Sequence, residues 1–125
     1  MLDQEMSITE TDWGFHIVMR KGISFEDGHL LRRIINLMDI CKARGKNKLL
    51  IDASTTRRNA TGFELFQGIE LMQRLGCSGF RIANVTPHPA NDRDSRFVNT
   101  AGYNRGISIN YFLNEGEAIE WLLNK

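Results

Sequence analysis

The chain has 125 residues, of which 42% are hydrophobic and 25% are charged, and only 2 are proline. This length suits one domain, and the composition is that of a globular protein rather than of a disordered or fibrous one. The 16 Lys and Arg against 15 Asp and Glu give a formal net charge of +1, so no overall field attracts nucleic acid or an anionic membrane. We therefore predict a single domain over residues 1–125 that does not bind nucleic acid.

The N-terminal residues and the cysteines indicate the cellular compartment. The beginning of the chain lacks the basic segment and apolar run of a secretory signal, and no stretch approaches the roughly 18 apolar residues that span a bilayer. Cys41 and Cys77 lie in apolar periodic segments, far from any CxxC spacing, which favours two free, buried thiols. These features predict a cytoplasmic protein without a transmembrane segment.

Three strands and one helix are predicted in the first part of the chain. Residues 5–9 and 15–19 mix β-branched and apolar side chains around a polar break, a pattern typical of a hairpin. Ser24, with Asp27 three positions later, begins a helix in which apolar residues recur at helical spacing. Residues 48–51 form a short aliphatic run, which is typical of a strand covered on both faces.

The second part of the chain continues this alternation. Thr61 has capping-box spacing to Glu64 and opens a second helix that ends near Gly76. Asn114 has the same spacing to Glu117 and opens the last helix. Between these helices the pattern predicts, in chain order, a strand over 81–85, a helix over 92–103 and a strand over 107–112.

The order of these elements predicts the fold class. The order is β-β-α-β-α-β-α-β-α, and strands that alternate with helices of this length require right-handed crossovers and a mainly parallel sheet. The first hairpin adds an antiparallel pair. We therefore predict an α/β fold with a mixed sheet and about four helices. An uncovered edge strand in the hairpin would also allow two chains to pair as a homodimer.

The sequence carries no motif for catalysis, cofactor binding or metal binding. Neither GxxxxGK[ST] nor GxGxxG follows a predicted strand, which argues against nucleotide hydrolysis, and no GxSxG elbow presents a serine nucleophile. His16, His29 and His88 fall in a strand, a helix and a loop without the paired spacing of metal ligands. We therefore predict that the protein is not an enzyme and has no catalytic residues, cofactor or metal.

Basic side chains adjoin the predicted start of the second helix. Arg57 and Arg58 lie in the loop before it, where free N–H groups and the helix dipole favour an anion. Asp52 and Ser54 follow the preceding strand and would line the same end of the sheet, where open α/β folds bind ligands. A phosphate or an acidic partner is therefore predicted to bind here. The arginine pair at 32–33 is instead expected on the solvated face of the first helix.

The closing segment of the chain resembles that of the bacterial STAS, or SpoIIAA-like, proteins. The resemblance rests on Tyr103-Asn-Arg-Gly106 followed by Tyr111-Phe112, then on Glu117-Ala118 and Trp121-Leu122. Within this family, the chain is similar above all to the STAS-like branch that is also compared with lipid-binding Sec14 or CRAL-TRIO domains. The resemblance implies a single-domain STAS-like fold and a non-enzymatic regulatory or protein-interaction module like the anti-sigma factor antagonists.

The resemblance also implies a regulatory position at the second helix. In anti-sigma factor antagonists, a Ser in an Asp-Ser-Ser-Gly motif opens this helix and is phosphorylated by a partner kinase. The matching positions here are Asn59-Ala60-Thr61-Gly62. Gly62 fits the motif and Thr61 has a hydroxyl for a phosphate, but Asn59 replaces the acidic residue and Ala60 the first Ser, so the phosphoserine motif is not intact. Thr61 then has two interpretations, a helix cap that needs no partner and a phosphoacceptor. The interaction surface predicted from the resemblance is the segment 54–62 together with the start of the helix that follows it.

A second interpretation is a carrier of a small apolar or anionic molecule, which the lipid-binding comparison would favour. The pocket would lie between the second and third helices and would be formed by Phe63, Phe66, Arg96 and Phe97. The same apolar residues would equally pack against the sheet as core. Tyr111 and Trp121 are predicted to pack in the core rather than to form a ligand cage.

Overall fold

The described residues form a five-stranded sheet with helices on both of its faces. The computed structural model describes residues 6–19, 29–53, 62–86 and 99–124. The strands are β1 (Met6–Glu10), β2 (Phe15–Met19), β3 (Lys48–Asp52), β4 (Arg81–Val85) and β5 (Ser108–Phe112). The helices are α1 (His29–Arg44), α2 (Gly62–Arg74), α3, which is described over 99–103, and α4 (Glu115–Leu123). This order confirms the predicted alternation of strands and helices.

The strands lie in the sheet in the order in which they occur in the chain. The order is β1-β2-β3-β4-β5, with β1 and β2 antiparallel and the other neighbours parallel. The hairpin register pairs Glu10 with Phe15, and it is held by the turn, in which the Thr11 N–H donates to the Gly14 carbonyl oxygen at 2.8 Å. The Gly14 N–H donates in return to Thr11 Oγ1 at 3.0 Å. The mixed, mainly parallel sheet is therefore confirmed.

Three helices cover one side of the sheet, which we call the first face. Each crossover moves one position along the sheet in the same direction, so right-handed crossovers place α1, α2 and α3 on the same side. The buried residues agree with this arrangement. Leu37 and Met38 of α1, Ile69 of α2 and Ala101 of α3 form one apolar cluster with Leu49 of β3.

The last helix covers part of the opposite side, which we call the second face. Helix α4 packs on β3, β4 and β5, where Ala118 and Leu122 are buried against Leu50 and Ala83. Helix α4 does not extend over the whole sheet, and Val18 on the second face of β2 is 39% exposed. The central strand β3 is nevertheless covered on both faces, as its aliphatic run predicts.

Trp121 holds α4 against the sheet. Its ring centre lies 5.7 Å from that of Phe112, and the Arg81 guanidinium carbon lies 4.1 Å from the centre of the Trp121 ring. Arg81 Nη2 also donates a hydrogen bond to the Trp121 carbonyl oxygen at 2.6 Å. These contacts agree with the prediction that Trp121 packs in the core.

The burial of Arg33 differs from the sequence prediction. Arg32 is exposed, as expected for a solvated helix face, but only 2% of Arg33 is exposed. Position 33 lies one helical turn before the buried Leu37 and therefore belongs to the side of α1 that faces the sheet. The long aliphatic part of an arginine packs there as an apolar side chain would. The prediction of a solvated arginine pair was therefore wrong for Arg33.

The remaining sequence predictions concern the thiols and membrane spans. Cys41 and Cys77 are free and buried, which confirms their prediction. Within the four described stretches, no helix combines the length and the apolar character that a membrane crossing requires.

Candidate functional site

The carboxyl ends of β2, β3, β4 and β5 lie at one edge of the sheet because these strands are parallel. Two backbone hydrogen bonds extend the pairing of the strands at this edge. The Ala53 N–H donates to the Val85 carbonyl oxygen at 2.9 Å, and the Thr86 N–H donates to the Phe112 carbonyl oxygen at 3.0 Å. Helix α2 begins here after β3, and α4 begins here after β5. In open α/β folds this edge is where ligands bind.

The structure shows where three of the predicted site residues lie. Asp52 is the last residue of β3, and Gly62 is the first residue of α2, so both lie at the carboxyl edge of the sheet. The ring of Phe66, further along α2, lies 5.1 Å from the Arg105 guanidinium carbon. Phe63 belongs to α2, but its side chain lies outside the described part. The other predicted site residues, Ser54, Arg57, Arg58, Thr61, Arg96 and Phe97, also lie outside the described residues.

An apolar cavity of about 100 Å³ lies between the first face of the sheet and helices α1 and α2. Leu37 of α1 and Ile69 of α2 line it, together with residues of β3, β4 and β5. Gly68 also lines it, and a Cβ atom at this glycine would come within 2.7 Å of the Ile34 Cδ1 methyl. The absence of a side chain at Gly68 therefore lets α1 and α2 approach each other above the cavity.

Two polar residues stand side by side in the wall of the apolar cavity. Asn84 of β4 and Tyr111 of β5 are register partners, and both line the cavity. Asn84 follows Ile82 on the first face of the sheet, at a position where a buried strand normally carries an aliphatic side chain. Sequence reasoning missed this site, although a polar residue at an inward position of β4 was a signal for it. A mainly apolar cavity with a few polar residues in its wall is typical of small-molecule sites.

A second polar cluster lies on the second face of the sheet. It consists of His16 of β2, Asp52 of β3 and Glu115, the first residue of α4, with ligand-type atoms that all lie within 4.8 Å of one another. His16 Nε2 is 3.4 Å from Glu115 Oε2. Sequence spacing could not reveal this cluster, because its members come from three separate elements. The register could have done so, since His16 pairs with Leu50 and therefore shares a face with Asp52 two positions later.

The two cysteines do not supply a nucleophile to either site. Burial raises the pKa of the Cys41 thiol to about 12, and burial also raises the pKa of Cys77. The thiolate is the nucleophilic form of cysteine, and these thiols remain protonated at neutral pH.

Comparison with known proteins identifies the fold. A crystal structure of an uncharacterised DUF3478-family protein from Shewanella loihica PV-4, described as having a SpoIIAA-like fold, matches the chain with a TM-score of 0.54. The match covers 94% of this chain and 91% of the other. The chain has a SpoIIAA-like fold. At 16% sequence identity the similarity shows the fold alone.

Comparison of the sequence with family models and curated proteins finds no relative. The SpoIIAA-like fold agrees with the resemblance seen in the closing segment, and α2 begins at the glycine that matches the Asp-Ser-Ser-Gly motif. Since a fold hosts many functions, the function must be argued from the two sites on its faces.

Proposed function

We propose that this protein is a non-enzymatic binding protein that holds a small, mainly apolar molecule in the cavity between α1, α2 and the sheet. The cavity itself carries the proposal. The cavity is partly open to solvent, and its volume of about 100 Å³ is of the same order as an engineered apolar cavity of about 150 Å³ that binds benzene. The lining is apolar except for Asn84 and Tyr111, so water gains few hydrogen bonds inside it.

The two polar residues narrow the class of ligand. A charged or strongly polar molecule would lose its hydration against an aliphatic wall, at a cost of several kcal/mol. A ring or short chain with one hydroxyl or carbonyl group would instead place that group against Asn84 and Tyr111. We therefore propose a ligand about the size of benzene with a single hydrogen-bonding group.

The test is a titration with benzene and phenol, followed by thermal unfolding and by amide chemical shifts. We expect Tm to rise with ligand concentration, because a ligand at 100 times its Kd stabilises the folded state by about 2.7 kcal/mol. The changes in amide chemical shift should concentrate on β4, β5 and the facing parts of α1 and α2.

In a second experiment, protein purified from its own host is compared by native and denaturing mass spectrometry. A small-molecule increment seen only in the native spectrum would identify the natural ligand class.

A matched pair of variants makes the test specific. Leu37→Phe enlarges a cavity-lining side chain and should abolish binding, whereas Leu123→Phe, at a 49% exposed position of α4, should bind as the wild type does. Circular dichroism checks that both variants are folded. Absence of binding in the wild type, or equal binding by both variants, would contradict the proposal.

A second candidate is a regulatory interaction module that works through the segment 54–62. Its support is that Thr61 directly precedes Gly62 in the sequence, and Gly62 is the first residue of α2 at the carboxyl edge of the sheet. A phosphate there would meet the free N–H groups of the helix N-terminus. The denatured mass of host-purified protein tests this directly: one phosphate mapped to Thr61 supports regulation, and an unmodified chain argues against it.

The partner surface has its own test. Arg57→Ala with Arg58→Ala should weaken capture of a binding partner, while a control that removes the exposed Arg32 and Arg74 should not. Unchanged capture by the first variant would refute this surface. The native mass also reports whether β1, which is an edge strand of the sheet, pairs two chains into a homodimer.

A further inference from the structure

We propose that His16, Asp52 and Glu115 form a binding site for a divalent first-row metal ion such as Zn²⁺. The three residues come from β2, β3 and the start of α4, and they meet on the second face, away from the apolar cavity. Each offers one ligand atom, and all three atoms lie within 4.8 Å of one another. Metal binding would be independent of the cavity and of its ligand.

The distance between His16 and Glu115 fits a shared ion better than a hydrogen bond. Nε2 and Oε2 are 3.4 Å apart, beyond the usual 2.7–3.2 Å of an N–H···O hydrogen bond. His16 Nε2 is buried, and no described group forms a hydrogen bond with it. Two ligand atoms that each lie about 2.1 Å from a tetrahedral ion are about 3.4 Å apart. An ion between these atoms would therefore require little movement of either side chain.

The ligand types indicate which ions would bind. One imidazole nitrogen with two carboxylate groups suits Zn²⁺, Mn²⁺, Fe²⁺ or Co²⁺, whereas Ca²⁺ and Mg²⁺ prefer oxygen ligands alone. The two carboxylates would also offset the charge of the cation. Three protein ligands leave at least one coordination position for water or for another small molecule.

Rigid elements hold all three residues in place. His16 and Asp52 lie on strands in a fixed parallel register. Glu115 follows Asn114, whose Oδ1 accepts a hydrogen bond from the Glu117 N–H at 2.9 Å and so caps α4. A bound ion would therefore connect α4 to β2, in addition to the packing of α4 on β3, β4 and β5.

The experiment uses the full chain after treatment with EDTA, titrated with Zn²⁺ by calorimetry and with Co²⁺ by visible absorption. We expect one ion per chain, a d–d spectrum of nitrogen and oxygen ligands, and a metal-dependent rise in Tm. His16→Ala, Asp52→Asn and Glu115→Gln should each lower the affinity by at least about 10-fold. Glu117→Gln, which removes the same charge from an exposed position of the same helix, should bind as the wild type does.

Three outcomes would overturn the proposal. The first is the absence of stoichiometric binding by folded wild-type protein. The second is an equal loss of affinity in Glu115→Gln and Glu117→Gln, which would show that the ion senses only the surface charge. The third is a thiolate-to-cobalt charge-transfer band, which would place the ion on a cysteine. Benzene and phenol binding is measured in the same variants, so that failure of the metal site is distinguished from failure of the cavity.

Discussion

At the scale of single residues, two polar side chains distinguish the apolar cavity on the first face from an ordinary core. Asn84 occupies an inward position of β4 and lines an apolar cavity beside Tyr111. An amide at a position that could hold leucine reduces the apolar area buried in the core. The Asn84 amide would offset this loss by a hydrogen bond to a bound molecule, and the contribution of that bond to the affinity can be measured.

Replacement of Asn84 by Leu tests this role. We expect Asn84→Leu to keep benzene binding and to lose any preference for phenol over benzene, because one neutral hydrogen bond contributes about 1 kcal/mol, or about 5-fold in affinity. The ratio of the two dissociation constants, measured in wild type and variant, checks the expectation. A preference for phenol that survives in the variant would assign the polar contact to another residue.

Single residues also show which features of the structure the sequence pattern could predict and which it could not. The pattern of polar and apolar residues predicted that Cys41 and Cys77 are buried, because both lie in apolar periodic segments. It did not predict that Arg33 is buried, because a charged residue at the border of an apolar stripe can lie on either side of it. Asn84 was missed for a similar reason, since alternation shows that a residue points inward but not that a cavity lies there.

At the scale of elements, the turn between β1 and β2 depends on close contact between backbones. A Cβ atom at Gly14 would lie 2.0 Å from the Lys48 carbonyl oxygen at the start of β3. No side chain fits there unless the hairpin moves away from β3. The glycine thus allows the antiparallel pair to join the parallel part of the sheet.

We therefore expect Gly14→Ala to lower the free energy of unfolding by about 3 kcal/mol. A matched glycine provides the control. A Cβ atom at Gly116 in α4 would meet nothing nearer than Asn114 Oδ1 at 3.5 Å, so Gly116→Ala should stabilise the protein by about 0.5 kcal/mol. Urea unfolding of the two variants checks both signs. A mild effect at Gly14 would show that the hairpin tolerates displacement from β3.

The elements themselves were predictable because their signals are local. The bounds of β2 and β4 agree with the predictions, and α4 begins after its predicted cap, Asn114. Alternation, helical spacing and capping residues act over a few positions along one segment. The metal-type cluster on the second face depends instead on the register of β2 with β3 and on the packing of α4. No local signal contains that information.

At the scale of the whole molecule, the two buried thiols couple stability to pH. Burial holds the pKa of Cys41 at about 12 in the folded state, against an ordinary value of 9.0 that the unfolded chain would show. Below pH 9 the thiol is protonated in both states, so its full contribution to stability is present. Between about pH 9 and pH 12 only the unfolded chain releases the proton, and the free energy of unfolding falls.

The expected decrease is up to about 1.4 kcal/mol per pH unit for each such thiol. Lys and Tyr also titrate in this range, and comparison with a variant removes their contribution. Cys41→Ala should be less stable at pH 8 but should lose less stability between pH 9 and pH 12 than the wild type does. Parallel curves for the two proteins, obtained by urea unfolding at each pH, would show that Cys41 ionises freely in the folded state.

The strand order has a consequence for how the chain acquires its structure during synthesis. Each new strand joins the edge of the sheet next to the strand that precedes it, so a growing chain can add one strand and one helix at a time without waiting for distant segments. The second face is the exception, because α4 follows all the strands that it covers. Until α4 docks, Leu50, Ala83 and Val85 remain open to water, and this late-covered surface is where a nascent chain would aggregate or engage a chaperone.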